Sequence, residues 1–351
     1  LMGALFLYTC EFSTIPEARP MELIRGLQNL RPRHRGCAVT VGAFDGVHRG
    51  HQAVLARLKD KAQALGLPST VIVFEPLPRE FFQPVESPPR ITNLRERLQA
   101  LADTGIDRVL VLPFNKKLRT MSADAFIETV FVQGLGARYL QLGDDFRFGN
   151  SREGDFEYAR QFADQYGYVV ERTETMALDG ARVSSTRIRE VLATGDFEEV
   201  ERLLGRPFTM TGRVEHGKQL GRTLGCPTAN MRIERLRSPL SGVFAVRVSG
   251  AGLHEVPGVA NVGTRPTVSD GTKANLEVHL IDQSVDVYGQ RLTVRFLKKI
   301  RDEQKFPSLE ALESAIHNDI ATARHWLAGH RTTLDWHCPV PTRRHKRLTH
   351  E

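Results

Sequence analysis

The chain is predicted to hold two unlike folds in series: an α/β unit on a parallel sheet, then an antiparallel β-barrel with a terminal helix. Three observations predict it. From Cys37 to about Arg206, short apolar runs alternate with helical stretches, the pattern of a parallel sheet covered on both faces. After Leu204-Gly205-Arg206-Pro207 the helical stretches stop and strands follow one another across glycine-rich turns, which suits a closed antiparallel barrel. A last run, Ser308 to about Leu327, sets apolar residues at helical spacing, the stripe of a helix packed on a surface.

The elements follow in order. Ala38-Val39-Thr40-Val41 reads as a buried strand, and Gln52 to Leu65 as a helix. Val71 to Phe74 is a strand, Asn93 to Thr104 a helix, Arg108 to Leu112 a strand, and Ser122 to Gly134 a helix. Tyr139 to Leu142, the helix Asp155 to Tyr166, and Tyr168 to Val170 continue the alternation. The barrel strands are expected at Phe208–Val214, Gly242–Val248, Val256–Val262, Leu276–Ile281 and Leu292–Leu297. Leu312, Ile316, Ile320, Ala323 and Leu327 form the stripe of the final helix, expected to pack on the barrel. No internal repeat relates the two halves.

Composition narrows the class. A chain of 351 residues can bury two cores, and 41% hydrophobic with 25% charged residues is ordinary for a globular protein. The net charge of +7 suits anionic ligands. Nucleic acid is the obvious rival, but RNA-binding aromatic signatures, zinc-finger spacing and a helix-turn-helix pattern are all missing. Cys10, Cys37, Cys226 and Cys338 are scattered without a C-x-x-C pair, which fits free thiols in a reducing cytoplasm. Leu1 to Tyr8 is too short to span a bilayer and lacks a basic start. The basic run Arg343-Arg344-His345-Lys346-Arg347 reads as a solvated end.

The densest chemistry lies at Gly42-Ala43-Phe44-Asp45-Gly46-Val47-His48-Arg49-Gly50-His51. Glycines let backbone approach a phosphate, and free amides at a helix start favour anions. His48 and His51, three apart, project from one face of the first helical turn. Two imidazoles above such a cradle suit charge on a nucleotide α-phosphate; this is the H-x-G-H pattern of nucleotidylyltransferases. Asp45 is read as a cation ligand, a ligand-positioning group or a turn former. Phe74-Glu75-Pro76 and Leu142-Gly143-Asp144-Asp145-Phe146-Arg147-Phe148-Gly149 also end strands; of the adjacent acids, one is expected to serve a ligand and the other the fold. Val183-Ser184-Ser185-Thr186-Arg187-Ile188-Arg189 runs into a helix, so its hydroxyls are either an N-cap or, with Arg189, an anion grip.

A second group of motifs lies in the barrel half. Gly217 to Gly225 is a glycine-rich loop without the ending of a Walker A motif. It leads to Pro227-Thr228-Ala229-Asn230, where Thr228 and Asn230 point the same way on an extended chain. Asn261 lies in Gly258 to Thr267, Glu277 alternates with apolar neighbours, and Arg301 to Phe306 follows the last strand.

Taken together these segments resemble the bacterial bifunctional riboflavin kinase/FMN adenylyltransferase family over roughly residues 21 to 328. H-x-G-H pairs with S-S-T-x-x-R at Ser184, Ser185, Thr186 and Arg189, and Pro227 to Asn230 matches the P-T-A-N motif of riboflavin kinases. The resemblance implies a Rossmann-like nucleotidylyltransferase domain over 21–205 and a riboflavin kinase barrel over 206–330. Residues 1–20, ahead of a natural start at Met21, are expected to be a non-structural extension, and 331–351 a disordered tail. The resemblance further implies riboflavin, FMN and ATP as substrates, Mg²⁺ as cofactor and FMN and FAD as products. No nucleic-acid or membrane partner is expected, and self-association stays open. Catalytic roles fall to His48, His51, Arg189 and, as base for the ribityl 5′-hydroxyl, Glu277. Nucleotide and phosphate contacts fall to Gly42, Phe44, Asp45, Gly50, Ser184, Ser185, Thr186, Gly217, Gly221, Thr228 and Asn230, the last two also holding the metal. Flavin contacts fall to Asp145, Phe146, Arg147, Asn261, Arg301 and Phe306. Ala43 departs from the pattern, since many relatives carry Asn there.

Overall fold

A computed structural model describes residues 20–173, 177–216, 226–267, 271–283 and 285–330, with backbone alone at 264–267 and 271–273. The two ends and the Gly217–Gly225 loop lie outside the described residues.

Strands β1 (Glu22–Arg25), β2 (Ala38–Val41), β3 (Ser69–Glu75), β4 (Arg108–Pro113), β5 (Tyr139–Gly143) and β6 (Val169–Thr173) form a parallel sheet in the order β1-β4-β3-β2-β5-β6. Both faces are covered. Ile72, Phe74, Leu110 and Leu140 enter one core, while Val71, Val73, Val109 and Tyr139 enter the other. Burial on both faces explains why these strands read as continuous apolar runs. From β2 the chain pairs first with β3 and later, on the other side, with β5. The strand order therefore reverses at β2, and the crevice for a ligand opens at its carboxyl end.

Helices α1 (Arg49–Ala64), α2 (Pro78–Phe82), α3 (Leu94–Ala102), α4 (Lys116–Arg119) and α5 (Ala123–Phe126) follow the early strands. The expected helix Ser122–Gly134 is α5 continued by a π-helical segment, Ile127–Gly134. The expected helix Asp155–Tyr166 is divided at Phe162 (φ −95°, ψ 0°) into α6 (Phe156–Gln161) and α7 (Ala163–Tyr166). At that break the Phe162 ring packs between Tyr158 and Tyr166. A two-residue hairpin pair, β7 (Ala177–Leu178) and β8 (Ala181–Arg182), precedes α8 (Ser185–Thr194) and α9 (Phe197–Leu204).

Strands β9 (Thr209–Glu215), β10 (Ala229–Arg232), β11 (Gly242–Gly250), β12 (Leu253–Thr267), β13 (Gly271–Leu280) and β14 (Arg291–Arg301) close an antiparallel barrel in the order β10-β13-β12-β11-β14-β9. β10 is the barrel strand the sequence reading did not list, as β1 is the parallel-sheet strand it did not list. Alternate residues fill the interior, including Met231, Phe244, Ala260, Val278 and Phe296. On the outside, α10 (Leu309–Gly329) covers Val243, Ala245 and Val259 with Ile320, Ala323 and Leu327. Ile316 packs at the edge of this cluster, whereas Leu312 stays outside it.

Packing crosses residue 205. Ile188 and Leu192 of α8 and Phe197 and Leu203 of α9 share one core with the barrel interior. The Phe197 ring stacks on Phe296 and meets Phe244 edge-on. The two halves therefore differ in architecture but share buried apolar surface.

Candidate active sites

The first site forms at the end of β2. The turn from Gly42 to His48 bends through positive φ at Phe44 (47°), Gly46 (86°) and Val47 (41°). For β-branched Val47 this is a strained conformation, kept only where surroundings enforce it. Here they do. Arg97, fully buried on α3, donates to Ala43 O at 2.9 Å, Phe74 O at 3.1 Å and Glu75 Oε2 at 2.8 Å. Arg90 links the same Glu75 to Glu80. Arg206 donates to Gly46 O at 2.7 Å and Val47 O at 3.2 Å, and Gln52 Nε2 to Val47 O at 2.9 Å.

His48 is the N-cap of α1, its Nδ1 accepting from His51 N at 3.3 Å. The two rings stack with centroids 3.6 Å apart, and Phe44 leans on His51 at 5.0 Å. Burial pushes the His48 imidazole down to about 4, despite the nearby Asp45 carboxylate. Burial, reinforced by His48, also holds His51 well below its ordinary value. Both are neutral near pH 7, and the buried His51 Nδ1 has no hydrogen-bond partner among the described residues. An added Cβ on Gly50 would lie 3.2 Å from Val183 O. Glycine there lets the start of α1 meet the segment entering α8.

The N-cap reading of the hydroxyl cluster holds for Ser184. Ser184 caps α8, accepting from Arg187 N at 3.2 Å. Ser185 Oγ donates to Asp45 O at 3.0 Å, and Thr186 is exposed at the first turn. Arg189 donates to Asp45 Oδ2 at 2.7 Å and to Pro89 O at 2.6 Å. Asp45 is buried and also accepts from Ile91 N, Thr92 N and Thr92 Oγ1 at 2.9–3.1 Å. Its carboxylate is thus occupied by protein donors, and it joins the H-x-G-H turn to α8. Asp144 and Asp145 both pair outwards, with Arg172 and Arg182. Arg147 donates to Asp144 O and Phe146 O, and Phe146 stacks on buried Phe148 at 5.5 Å.

The second site lies on the outer face of the barrel. Asn230 on β10 faces Glu277 on β13, which faces Asn261 on β12, which faces Val243 on β11. Opposed residues share a face, so Asn230, Glu277 and Asn261 form one row, with half-buried Thr228 just ahead of β10. Asn275, two residues before Glu277 on the same face, donates to Glu277 Oε1 at 2.9 Å. His279 is held against Pro227 O at 3.0 Å. Arg301, at the Val243 end of the row, is clamped by buried Asp319 of α10 at 2.7–3.1 Å and lies 5.3 Å from the Phe306 ring centroid. Gly217 and Gly221 lie outside the described residues.

Sequence reasoning missed Arg97, Arg206, Thr92, Asn275 and Asp319. Arg97 left a signal: a cation between Leu94 and Leu101 on the apolar stripe of α3. Asn275 left one too, sharing a strand face with Glu277. Arg206 left none, because its partners lie far back in the chain.

Residues 30–187 match the family described as FAD synthetase, and residues 204–327 the family described as riboflavin kinase. The bifunctional riboflavin kinase/FMN adenylyltransferase of Pseudomonas fluorescens is 54% identical over 304 residues, 87% of this chain and 97% of that protein. The protein of the same description from Escherichia coli K12 is 47% identical over 305 residues, with the same 87% and 97% covered. A crystal structure from Streptococcus pneumoniae described as a macrolide-efflux protein is 29% identical, covers 88% of this chain and 100% of its own, and superposes with a TM-score of 0.69. No described helix here is long and apolar enough to cross a membrane. The chain belongs to the bifunctional riboflavin kinase/FMN adenylyltransferase family, its adenylyltransferase domain N-terminal and its riboflavin kinase domain C-terminal.

Proposed function

We propose that the chain converts riboflavin to FAD in two steps at two separate sites, dividing the chemistry near residue 205. In the barrel, Glu277 takes the proton of the ribityl 5′-hydroxyl, whose oxygen attacks the γ-phosphorus of ATP and expels ADP. Asn275 orients that carboxylate, and Asn261 lines the flavin side of the row. Thr228 and Asn230 offer uncharged oxygen donors beside Glu277, which fits a hard cation; Mg²⁺ held there would neutralise charge on the ATP phosphates. Among the described residues no cluster of His, Cys, Asp and Glu offers an alternative metal site. Arg301, tied to Asp319, supports Phe306 at the flavin edge and need not touch flavin itself.

In the sheet domain an FMN phosphate oxygen attacks the α-phosphorus of ATP and pyrophosphate leaves, with no covalent intermediate. Gly42, Phe44 and Gly50 shape the cradle. His48 and His51, neutral in the free protein, donate N–H groups to charge growing at that phosphorus. Ser185, Thr186 and the α8 amides receive the remaining phosphates, with Arg189 held at their edge by Asp45. Asp145, Phe146 and Arg147 flank the flavin. The observation that carries this reading is the meeting of the α1 and α8 N-termini at the strand-order reversal beside β2. Buried, unpaired Cys37 and Cys226 accord with a reducing cytoplasm.

The test is a crossed pair of variants with flavins separated by chromatography. Glu277→Gln should abolish riboflavin phosphorylation and spare adenylylation of supplied FMN. His51→Ala should do the reverse, lowering FAD turnover on the order of a hundredfold or more with little change in the ATP Michaelis constant. A folded variant losing both activities would refute the separation of sites.

A further inference from the structure

Where the two domains meet, a cavity of about 190 Å³ lies between α3 and the barrel strands β9 and β14. None of the residues expected at either site lines it. Ala100, Leu204 and Phe208 give it apolar walls. Its charged groups do not balance. Arg95, Arg206 and Arg291 line it against Glu96 and Asp103. Glu96 is already paired with Arg235, which is not part of the lining, and accepts Thr211 N at 2.7 Å. Three guanidiniums thus face Asp103, whose carboxylate accepts from Gln99 Nε2 at 2.9 Å but forms no ion pair among the described residues. The Arg95 and Arg291 side chains have neither an ion-pair nor a hydrogen-bond partner among the described residues. Guanidinium forks without partners are matched by carboxylate or phosphate oxygens. An apolar cavity of roughly 150 Å³ holds a benzene ring, so this one has room for a ring and a small anionic group.

We propose that this interdomain cavity binds a small organic anion, a flat apolar body bearing one carboxylate or phosphate group, and that its occupancy slows adenylyl transfer. The route is short. Arg206 in the cavity wall donates to Gly46 O and, beside Gln52, to Val47 O, immediately before His48. Thr92, also in the wall, accepts from Gly46 N at 3.0 Å and donates to Asp45 at 3.1 Å. An anion that recruits Arg206 takes a donor away from the strained turn carrying the histidines. The Asn230–Glu277–Asn261 row lies on β10, β13 and β12 and supplies no residue to the cavity wall, so riboflavin phosphorylation is unaffected.

The test titrates the full chain with benzoate, phenyl phosphate and neutral benzyl alcohol by calorimetry, and follows both activities. At least one anion binds and benzyl alcohol does not; whichever anion binds identifies the favoured headgroup. Saturation lowers FMN adenylylation about tenfold, within the usual range for coupled sites. That inhibition persists at high ATP, and riboflavin phosphorylation holds steady. Arg95→Gln and Arg291→Gln, made singly so that each can be checked for an intact melting curve, each weaken anion binding several-fold. Equal binding of benzyl alcohol, binding indifferent to both substitutions, relief of inhibition by ATP, or no binding of either anion would overturn the proposal. So would anion binding that leaves FAD synthesis unchanged. None of these readouts depends on which residues catalyse either reaction.

Discussion

Replacing Asp45 by Asn tests the centre of the first site with almost no change in shape. The carboxylate accepts four hydrogen bonds, two on each oxygen: Thr92 N and Thr92 Oγ1 on Oδ1, Ile91 N and Arg189 Nη2 on Oδ2. An amide can keep the first pair, but its NH₂ then faces two donors. Breaking a buried ion pair by removing one partner costs about 3 kcal/mol or more. The low end applies, because Arg189 keeps Pro89 O at 2.6 Å and is partly exposed. The stranded Ile91 amide adds about 1 kcal/mol. At roughly 2–4 °C per kcal/mol for a unit of this size, the N-terminal transition should fall by about 8–16 °C in a calorimetric scan. FAD synthesis should fall with it, since the Asp45 carboxylate holds Arg189. Arg189→Gln in the same background removes the unpaired charge, so the double variant should lose clearly less than the sum, with a coupling of about 2 kcal/mol. A melting curve within 2 °C of the parent (roughly the cost of one weak contact), or strict additivity, would refute this reasoning. A magnesium-ligand role for Asp45 predicts a different result: normal melting with a raised magnesium requirement for adenylylation.

Other expectations follow from the same contacts. His48 is buried with its pKa lowered to about 4 from 6.5. The unfolded chain therefore takes up the proton first as pH falls, so stability is full above about pH 6.5. About 3 kcal/mol of it is lost between there and about pH 4. Asp45 works against that shift, while Arg206, Arg182 and Arg189 act with it. His48→Gln should flatten this part of a stability–pH curve, and an unchanged slope would count against a buried neutral imidazole. Chelating divalent cations should stop riboflavin phosphorylation, and Thr228→Val with Asn230→Leu should raise the magnesium needed; phosphorylation that continues in chelator would exclude the cation. Asn275→Ala should lower the turnover of riboflavin phosphorylation, with little effect on the melting curve. A change in the riboflavin Michaelis constant alone would give Asn275 a binding role instead.

Much of this was legible because it is local. Alternation of apolar runs located β2 to β6 and most of the barrel, since a strand buried on both faces or one face writes its period into adjacent residues. The H-x-G-H and hydroxyl segments were legible because each opens a helix. β10 was obscured by its length of four residues and by Asn230 and Arg232, polar outward positions that leave only Ala229 and Met231 as apolar signal. The break at Phe162 was hidden because the surrounding aromatic residues keep helical spacing on both sides of it. Arg206 and Asp319 were not legible at all. Their meaning depends on which distant backbone or side chain they meet, and no periodicity encodes that. Asp45 shows the same limit inside a motif: spacing located it, but only its donors reveal that it binds protein.

The row across the barrel has a consequence for how this chain can vary. Asn230, Glu277 and Asn261 line up because the same pairing turns Met231, Val278 and Ala260 inward. Slipping β13 by a single residue would send Glu277 into the apolar interior and Val278 out to solvent. Alignment of the kinase side chains is therefore inherited from the core and needs no separate safeguard. Insertions within these strands should be rejected first as misfolding, before any loss of chemistry is felt, while the turns between them remain free to lengthen and retune which flavin is held.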